Sequence, residues 1–112
     1  MTTSSRGDIV LVSFVFADER GVKKRPALVL SSDEYQSGRQ EMIVAAITSN
    51  IGRVLIGDYR IKDWESRGLP LPSLVTGIVR TIKRQMIVKK LGALPSPERR
   101  AFDKNLKMLL SL

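Results

Sequence analysis

Asp8-Ile9-Val10-Leu11-Val12-Ser13-Phe14-Val15-Phe16 is a run of β-branched and aromatic residues held between Gly7 and the polar stretch Ala17-Asp18-Glu19-Arg20-Gly21. Such a composition between turn-forming residues marks a strand. Its nearly unbroken apolar character implies burial on both faces, as in a small barrel backed by a helix or by a second subunit. Working outward, Ala27-Leu28-Val29-Leu30 follows Pro26, and Met42-Ile43-Val44-Ala45-Ala46-Ile47 follows a polar loop through Gly38. Both read as short strands. Leu74 to Ile82 and Met86 to Leu91 add two more, separated by Lys83-Arg84-Gln85, with Gly77 suited to a bulge. In between, Gly52, Gly57, Gly68, Pro70 and Pro72 cut the chain into short pieces, which predicts a hairpin and long loops from Ser49 to Ser73.

Near the end the apolar period changes from 2 to 3.6. Ser96 reads as a helix N-cap, Pro97 suits the first helical position, and Glu98 complements the positive end of the helix. Phe102, Leu106, Leu109 and Leu110 then form one apolar stripe, while Arg99, Arg100, Asp103, Lys104 and Lys107 stay solvated. The expected architecture is mainly β within an α+β class: short antiparallel strands closed into a small barrel, with a C-terminal helix packed on it. The 112 residues are expected to make one domain, with positions 1–6 flexible.

Composition removes several chemistries. The chain has no Cys and no His, so a zinc finger, a thiol nucleophile, a Ser-His-Asp triad and an imidazole base are excluded. Nineteen Lys and Arg against eleven Asp and Glu leave a formal charge of +8, which draws anionic partners, nucleic acid or an acidic protein. No stretch approaches the roughly 18 apolar residues of a membrane span. The N-terminus carries no apolar secretory region, so the cytoplasm is the expected location and no membrane partner is expected.

Two strand boundaries gather polar groups beside apolar runs. At Lys23-Lys24-Arg25-Pro26, the proline restricts Arg25 to extended backbone, aiming a planar fork of donors from a rigid element. The same stretch also reads as a solvated basic turn. At Ile47-Thr48-Ser49-Asn50 a buried strand ends in three hydroxyl or amide side chains, which equally suit an ordinary turn. Trp64 reads as a loop anchor, with base stacking as the alternative, and Lys83-Arg84 and Lys89-Lys90 as solvated faces.

Taken together, Gly7 to Phe14, Lys24-Arg25-Pro26-Ala27-Leu28-Val29-Leu30-Ser31, Ile47-Thr48-Ser49, Arg80-Thr81-Ile82 and Leu91-Gly92-Ala93-Leu94 stand in the order and approximate spacing of the MazF/PemK toxins. The chain resembles that family from about Gly7 to Leu112. The resemblance implies an SH3-like barrel, a homodimer, and the toxin of a type II toxin–antitoxin system. It further implies a sequence-specific endoribonuclease that cuts single-stranded RNA at short sequences and is neutralised by an antitoxin, in which the +8 charge leads us to expect an acidic, partly disordered segment. The family's catalytic arginine and threonine carry over to Arg25 and Thr48. Arg80 resembles a substrate-side phosphate contact, and Lys24, Ser49, Asn50 and Thr81 are the accompanying RNA-binding positions. Asp18 and Glu19 in the first loop are candidates to read base edges, and are also simple turn residues. Where some members carry an acidic residue ahead of the Arg80 segment, this chain has Thr76, Gly77, Ile78 and Val79, so no carboxylate base is carried over there. Neither a metal nor another cofactor is implied: the ribose 2′-hydroxyl supplies the nucleophile, and the products carry 2′,3′-cyclic phosphate and 5′-hydroxyl ends.

Two rival readings remain open at this point. CcdB-like toxins share the fold and poison gyrase without catalysis, using a tryptophan near the end of the terminal helix, whereas here that helix ends Leu109-Leu110-Ser111-Leu112. An inactive nucleic-acid-binding module of the same fold is the other.

Overall fold

The first strand, β1 (Asp8–Val15), lies inside a six-stranded sheet between β2 (Val22–Val29) and β6 (Ile87–Ala93). The computed structural model describes residues 4–15 and 21–112, and at Val15 the backbone alone. Ile9, Val10 and Val12 are fully buried, and because neighbours on a strand face opposite sides, β1 is covered on both faces as its composition demands. The remaining strands are β3 (Glu41–Thr48), the two-residue β4 (Tyr59–Arg60) and β5 (Leu74–Lys83), in the order β4-β5-β3-β2-β1-β6. All pairings are antiparallel. Ile9, Leu28, Ile47 and Val75 share one cluster with Phe102 of the C-terminal helix, whereas Val10, Val29, Val44 and Ile82 make a second cluster on the other side.

β5 and β6 are consecutive but do not pair with each other. A 3₁₀ turn, Arg84–Met86, swings β6 across to the far edge beside β1, so the sheet curls into a half-barrel. The gap between its edges is closed by packing: a second 3₁₀ turn, Trp64–Arg67, lies against β6. Two glycines permit this approach. A Cβ on Gly92 would sit 2.2 Å from the Arg67 carbonyl oxygen, and one on Gly68 2.0 Å from that of Leu91. Gly77 falls in the register shift of β5 opposite Ala45 and Ile47, where Thr76 secures the bulge by donating to the Ala46 carbonyl at 2.8 Å.

Two local expectations need correction. The helix α2 (Ser96–Leu110) is capped at Pro95, in extended conformation, so Ser96 lies inside the first turn and makes no cap bond. Two prolines flanking Ser96 fix the backbone around it, and its hydroxyl instead accepts from Arg99 at 3.3 Å. Glu98 stands in the first turn as expected, and its buried carboxylate also accepts from the Tyr59 hydroxyl and the Lys62 backbone N–H, both at 2.8 Å. The apolar stripe also divides: Phe102 is fully buried and Leu106 half-buried, but Leu110 is 51% exposed.

The polar loop before β3 contains a one-turn helix, α1 (Asp33–Gln36), with the Ser32 hydroxyl accepting from the Tyr35 N–H as its cap. Of the start expected to be flexible, Ser4 to Arg6 are tied to the body: Arg6 donates to the Leu30 carbonyl at 2.8 Å and pairs with Asp103, and the Ser4 carbonyl accepts from the buried Gln36. Among the basic pairs read as solvated, Arg84 bonds the Gln36 and Arg39 carbonyls and Lys90 pairs with Asp8 at 3.3 Å. Trp64 is half-buried against the core, an anchor for its loop.

Candidate functional site

The site originates in a missing hydrogen. Leu30 donates its N–H to the Ile43 carbonyl at 2.9 Å, and alternation along the strand turns the amide of position 26 to the same side, toward β3. Proline there has no hydrogen to give. The β2–β3 ladder accordingly stops at Ala27 opposite Ala46, and beyond it the strands leave an open cleft. Continued by two residues, the same register sets Arg25 opposite Thr48. β2 changes character at this point, from buried at Ala27 to half-buried at Pro26 and exposed at Arg25, so the guanidinium reaches solvent from a fixed base.

The cleft holds two adjoining cavities that share Arg25, Pro26 and Ile47. The larger, about 320 Å³, brings Lys24 and Arg25 together with Thr48, Ser49 and Asn50. Its outer wall is Pro70, Leu71 and Ser73, from a loop whose Ser73 hydroxyl donates to the Leu71 carbonyl at 2.7 Å. Within it, the Thr48 hydroxyl accepts from the Asn50 backbone N–H at 3.1 Å, which leaves its own proton for donation. Arginine, lysine and hydroxyl donors facing one cavity, with no carboxylate in its lining among the described residues, form a receptor for an anionic oxygen.

The smaller cavity, about 160 Å³, is walled by apolar side chains including Phe14, Pro26, Val44 and Ile78, with Arg25 and Arg80 as its polar members. The Arg80 guanidinium lies over the Phe14 ring, 4.8 Å from its centroid, a geometry that holds a long exposed side chain in place through the ring quadrupole.

Five of the residues singled out in the sequence thus share one cavity, and Arg80 lines the next. Thr81 is not among them: as Arg80's neighbour on β5 it faces the opposite side of the strand, and it lines neither cavity. Asp18 and Glu19 lie outside the described residues. Phe14, Ile78, Leu71 and Ser73 had no mark in the sequence as site residues. Of these, only the Pro70-Leu71-Pro72 spacing carried a usable signal, since two prolines stiffen an exposed loop.

Residues 5–110 match the family described as PemK-like, MazF-like toxin of type II toxin–antitoxin systems. The fold is similar to that of the Mycobacterium tuberculosis toxin MazF-mt6, with 23% identity, a TM-score of 0.77, and coverage of 94% of this chain and 97% of that one. It is similar to a MazE–MazF structure from Deinococcus radiodurans, at 19% identity and a TM-score of 0.84 over 100% of this chain and 99% of that one. A third similar structure is an endoribonuclease in complex with its cognate antitoxin from a mycobacterial species, at 14% identity and a TM-score of 0.81 over 98% and 97% of the two chains.

Proposed function

The chain belongs to the PemK-like, MazF-like toxin family of type II toxin–antitoxin systems, and from that premise we propose that it is a metal-independent endoribonuclease that cuts single-stranded RNA between Arg25 and Thr48. The observation that carries the proposal is the shared cavity of Arg25, Thr48, Lys24, Ser49 and Asn50, in which every charged side chain is cationic. RNA brings its own nucleophile. The 2′-oxygen forms a bond to phosphorus, the bond from phosphorus to the 5′-oxygen breaks, the 2′-proton passes to solvent and the 5′-oxygen acquires one. Arg25 neutralises the charge that builds on the phosphorane and donates toward the departing oxygen, while the Thr48 hydroxyl donates to a non-bridging oxygen. Preorganised donors of this kind act where charge develops, and removing one costs about a hundredfold to a thousandfold in rate. The ends are a 2′,3′-cyclic phosphate and a 5′-hydroxyl.

The proposal extends to two partners. An antitoxin with an acidic, partly disordered segment covers the same cleft, drawn by the +8 charge. A second copy of the chain covers an apolar surface at which Leu109 packs beside Gly57 and Gly77. The loop leading into Gly57 adds Val54, Leu55 and Ile56, which are 60%, 54% and 83% exposed. Mapping the ends left on a long defined RNA by the purified protein tests the activity; intact RNA, or ends of the opposite polarity, would reject it.

A further inference from the structure

β3 and β5 build the cleft from two paired stretches that are out of step. In one, Val44 pairs with Arg80 and Ala45 with Val79; in the other, Ile47 pairs with Val75 and Thr48 with Leu74. Between them β3 has one residue, Ala46, and β5 has three, Thr76, Gly77 and Ile78. The bond that this bulge displaces can be identified. Ile43 turns its carbonyl toward β2, where it accepts from Leu30, so Ala46, three positions on, turns its carbonyl the other way, toward β5. Carried on by one residue, the pairing of Ala45 with Val79 sets Ile78 opposite Ala46, and a regular ladder would run from the Ile78 N–H to the Ala46 carbonyl. Instead the Ile78 N–H donates to the Thr76 hydroxyl at 3.1 Å, and that hydroxyl donates to the Ala46 carbonyl at 2.8 Å. Thr76 is buried and lines neither cavity, and its single proton is already given to the backbone.

We propose that Thr76 is a positioning residue for RNA cleavage: its hydroxyl, standing where a strand-to-strand bond would be, holds Ile78 off Ala46 and sets where Thr48, at the end of β3, stands against Arg80 on β5. The inference rests on the RNA-cleavage reading of the cleft and adds a residue that touches neither substrate nor reacting atoms. Ala46 and Ile78 both wall the smaller cavity, together with Arg25 and Arg80, so the inserted oxygen fixes the width of that cavity. Ala46 is also the last rung to β2 before Pro26. One residue thus joins β2, β3 and β5 beside the positions from which Arg25 and Thr48 reach the cleft. Aligned groups are sensitive to such a fixture: a displacement of about 1 Å can cost about a hundredfold in rate, whereas attraction to phosphates, which carries most of the affinity, is long-ranged and tolerates it. A threonine that served only to staple the bulge would change stability and leave the turnover of the folded protein alone.

The test is steady-state cleavage of one defined RNA by the wild type, Thr76→Val, Thr76→Ser, Thr48→Val and the double variant of Thr76→Val with Thr48→Val, each below its own melting temperature. Thr76→Val keeps the shape and removes both bonds. Its kcat is expected to fall about tenfold to a hundredfold with KM changed by about twofold at most, while Thr76→Ser retains most of the rate. Because Thr76 acts through the placement of Thr48, the double variant is expected to lose about threefold at most beyond Thr48→Val alone. Unchanged kcat in Thr76→Val, a loss confined to KM, or a double variant in which the two losses multiply overturns the inference. If valine unfolds the chain, Thr76→Cys carries the test with a thiol that fills the place but bonds weakly: an intermediate kcat is expected, and a wild-type kcat overturns the inference. A wild type that leaves RNA uncut rejects the nuclease reading and this inference together, whereas a cutting wild type matched by Thr76→Val rejects the inference alone.

Discussion

The backbone N–H of Asn50 donates to the hydroxyl of Thr48 at 3.1 Å, closing a turn at the end of β3 that fixes the direction of the hydroxyl. The strand end is thereby built to present one donor rather than a freely rotating side chain. Thr48→Val keeps the shape and removes the oxygen; Thr48→Ser keeps the oxygen. RNA cleavage is expected to fall about a hundredfold or more in Thr48→Val and in Arg25→Ala, with thermal stability near that of the wild type, while Thr48→Ser retains most activity. Near wild-type turnover in Thr48→Val would remove Thr48 from the mechanism.

Cleavage is expected to persist in excess EDTA. Its motive is compositional and spatial: the chain lacks His and Cys, and no three Asp or Glu residues gather into a candidate metal site among the described residues. Cleavage rates with EDTA, with magnesium and with neither provide the measurement. A rate that collapses on chelation and returns with magnesium contradicts the proposal.

Antitoxin and RNA are expected to compete. Arg25 and Arg80 flank one cleft and can each engage RNA or an acidic peptide, not both together. Binding of a short uncleavable RNA to Thr48→Ala, with and without saturating antitoxin, reads this directly. Association should be fast and salt-sensitive, because charge complementarity acts mainly on the on-rate. Unchanged RNA affinity in the presence of antitoxin would mean separate sites.

Gly92→Ala is expected to destabilise the fold, not merely the site. The new Cβ would stand 2.2 Å from the backbone oxygen of Arg67, where no flexible side chain can yield. Overpacking of this sort costs about 1–3 kcal/mol, a drop in Tm of roughly 4 °C or more for a domain near this size. A melt unchanged from wild type would show that the closure between the Trp64–Arg67 turn and β6 is loose.

Stability is expected to decline between pH 10 and 12 through Tyr59. Burial, and then the hydrogen bond to Glu98, push its phenol up from 10.0 to about 12. Over that interval the unfolded chain loses the proton that the folded chain keeps, so the contribution is complete below pH 10 and is lost as the pH rises through the folded value. Denaturant unfolding across this range should show a shallower decline in Tyr59→Phe than in the wild type.

The only tryptophan bears on the gyrase-poison alternative. Trp64 packs half-buried against the core on a 3₁₀ turn, far along the chain from the end of α2, where that mode of action requires an aromatic residue. End mapping on RNA separates this alternative from the nuclease reading, and from an inactive binding module, in a single experiment.

Local chemistry was enough to place β1, β3, β5 and β6, to show that β1 is covered on both faces, that a helix closes the chain, and that no imidazole or thiol takes part. It missed the Val22–Arg25 half of β2, read as a turn ahead of the strand, and the two-residue β4, which pairs with β5 rather than closing a hairpin before it. What it placed follows from period, composition and residue type, which act over a few positions. It also marked Arg25 and Thr48, because a residue before proline and a hydroxyl at a strand end are visible in the chain itself. What brings the two together is the register of β2 on β3, together with a proline that ends their ladder, and pairing across a sheet is a long-range choice that neither strand specifies alone. The same holds for Phe14, read in sequence as one more apolar strand residue until β5 sets Arg80 over its ring. Gly68 and Gly92 looked like punctuation and a motif letter, and only the closure of the barrel gives each a backbone neighbour that leaves no room for a Cβ. Ser96 and Thr81 went the other way: a plausible cap was displaced by its flanking prolines, and a residue beside the cleft in sequence was turned to the far face by the two-residue period of its own strand.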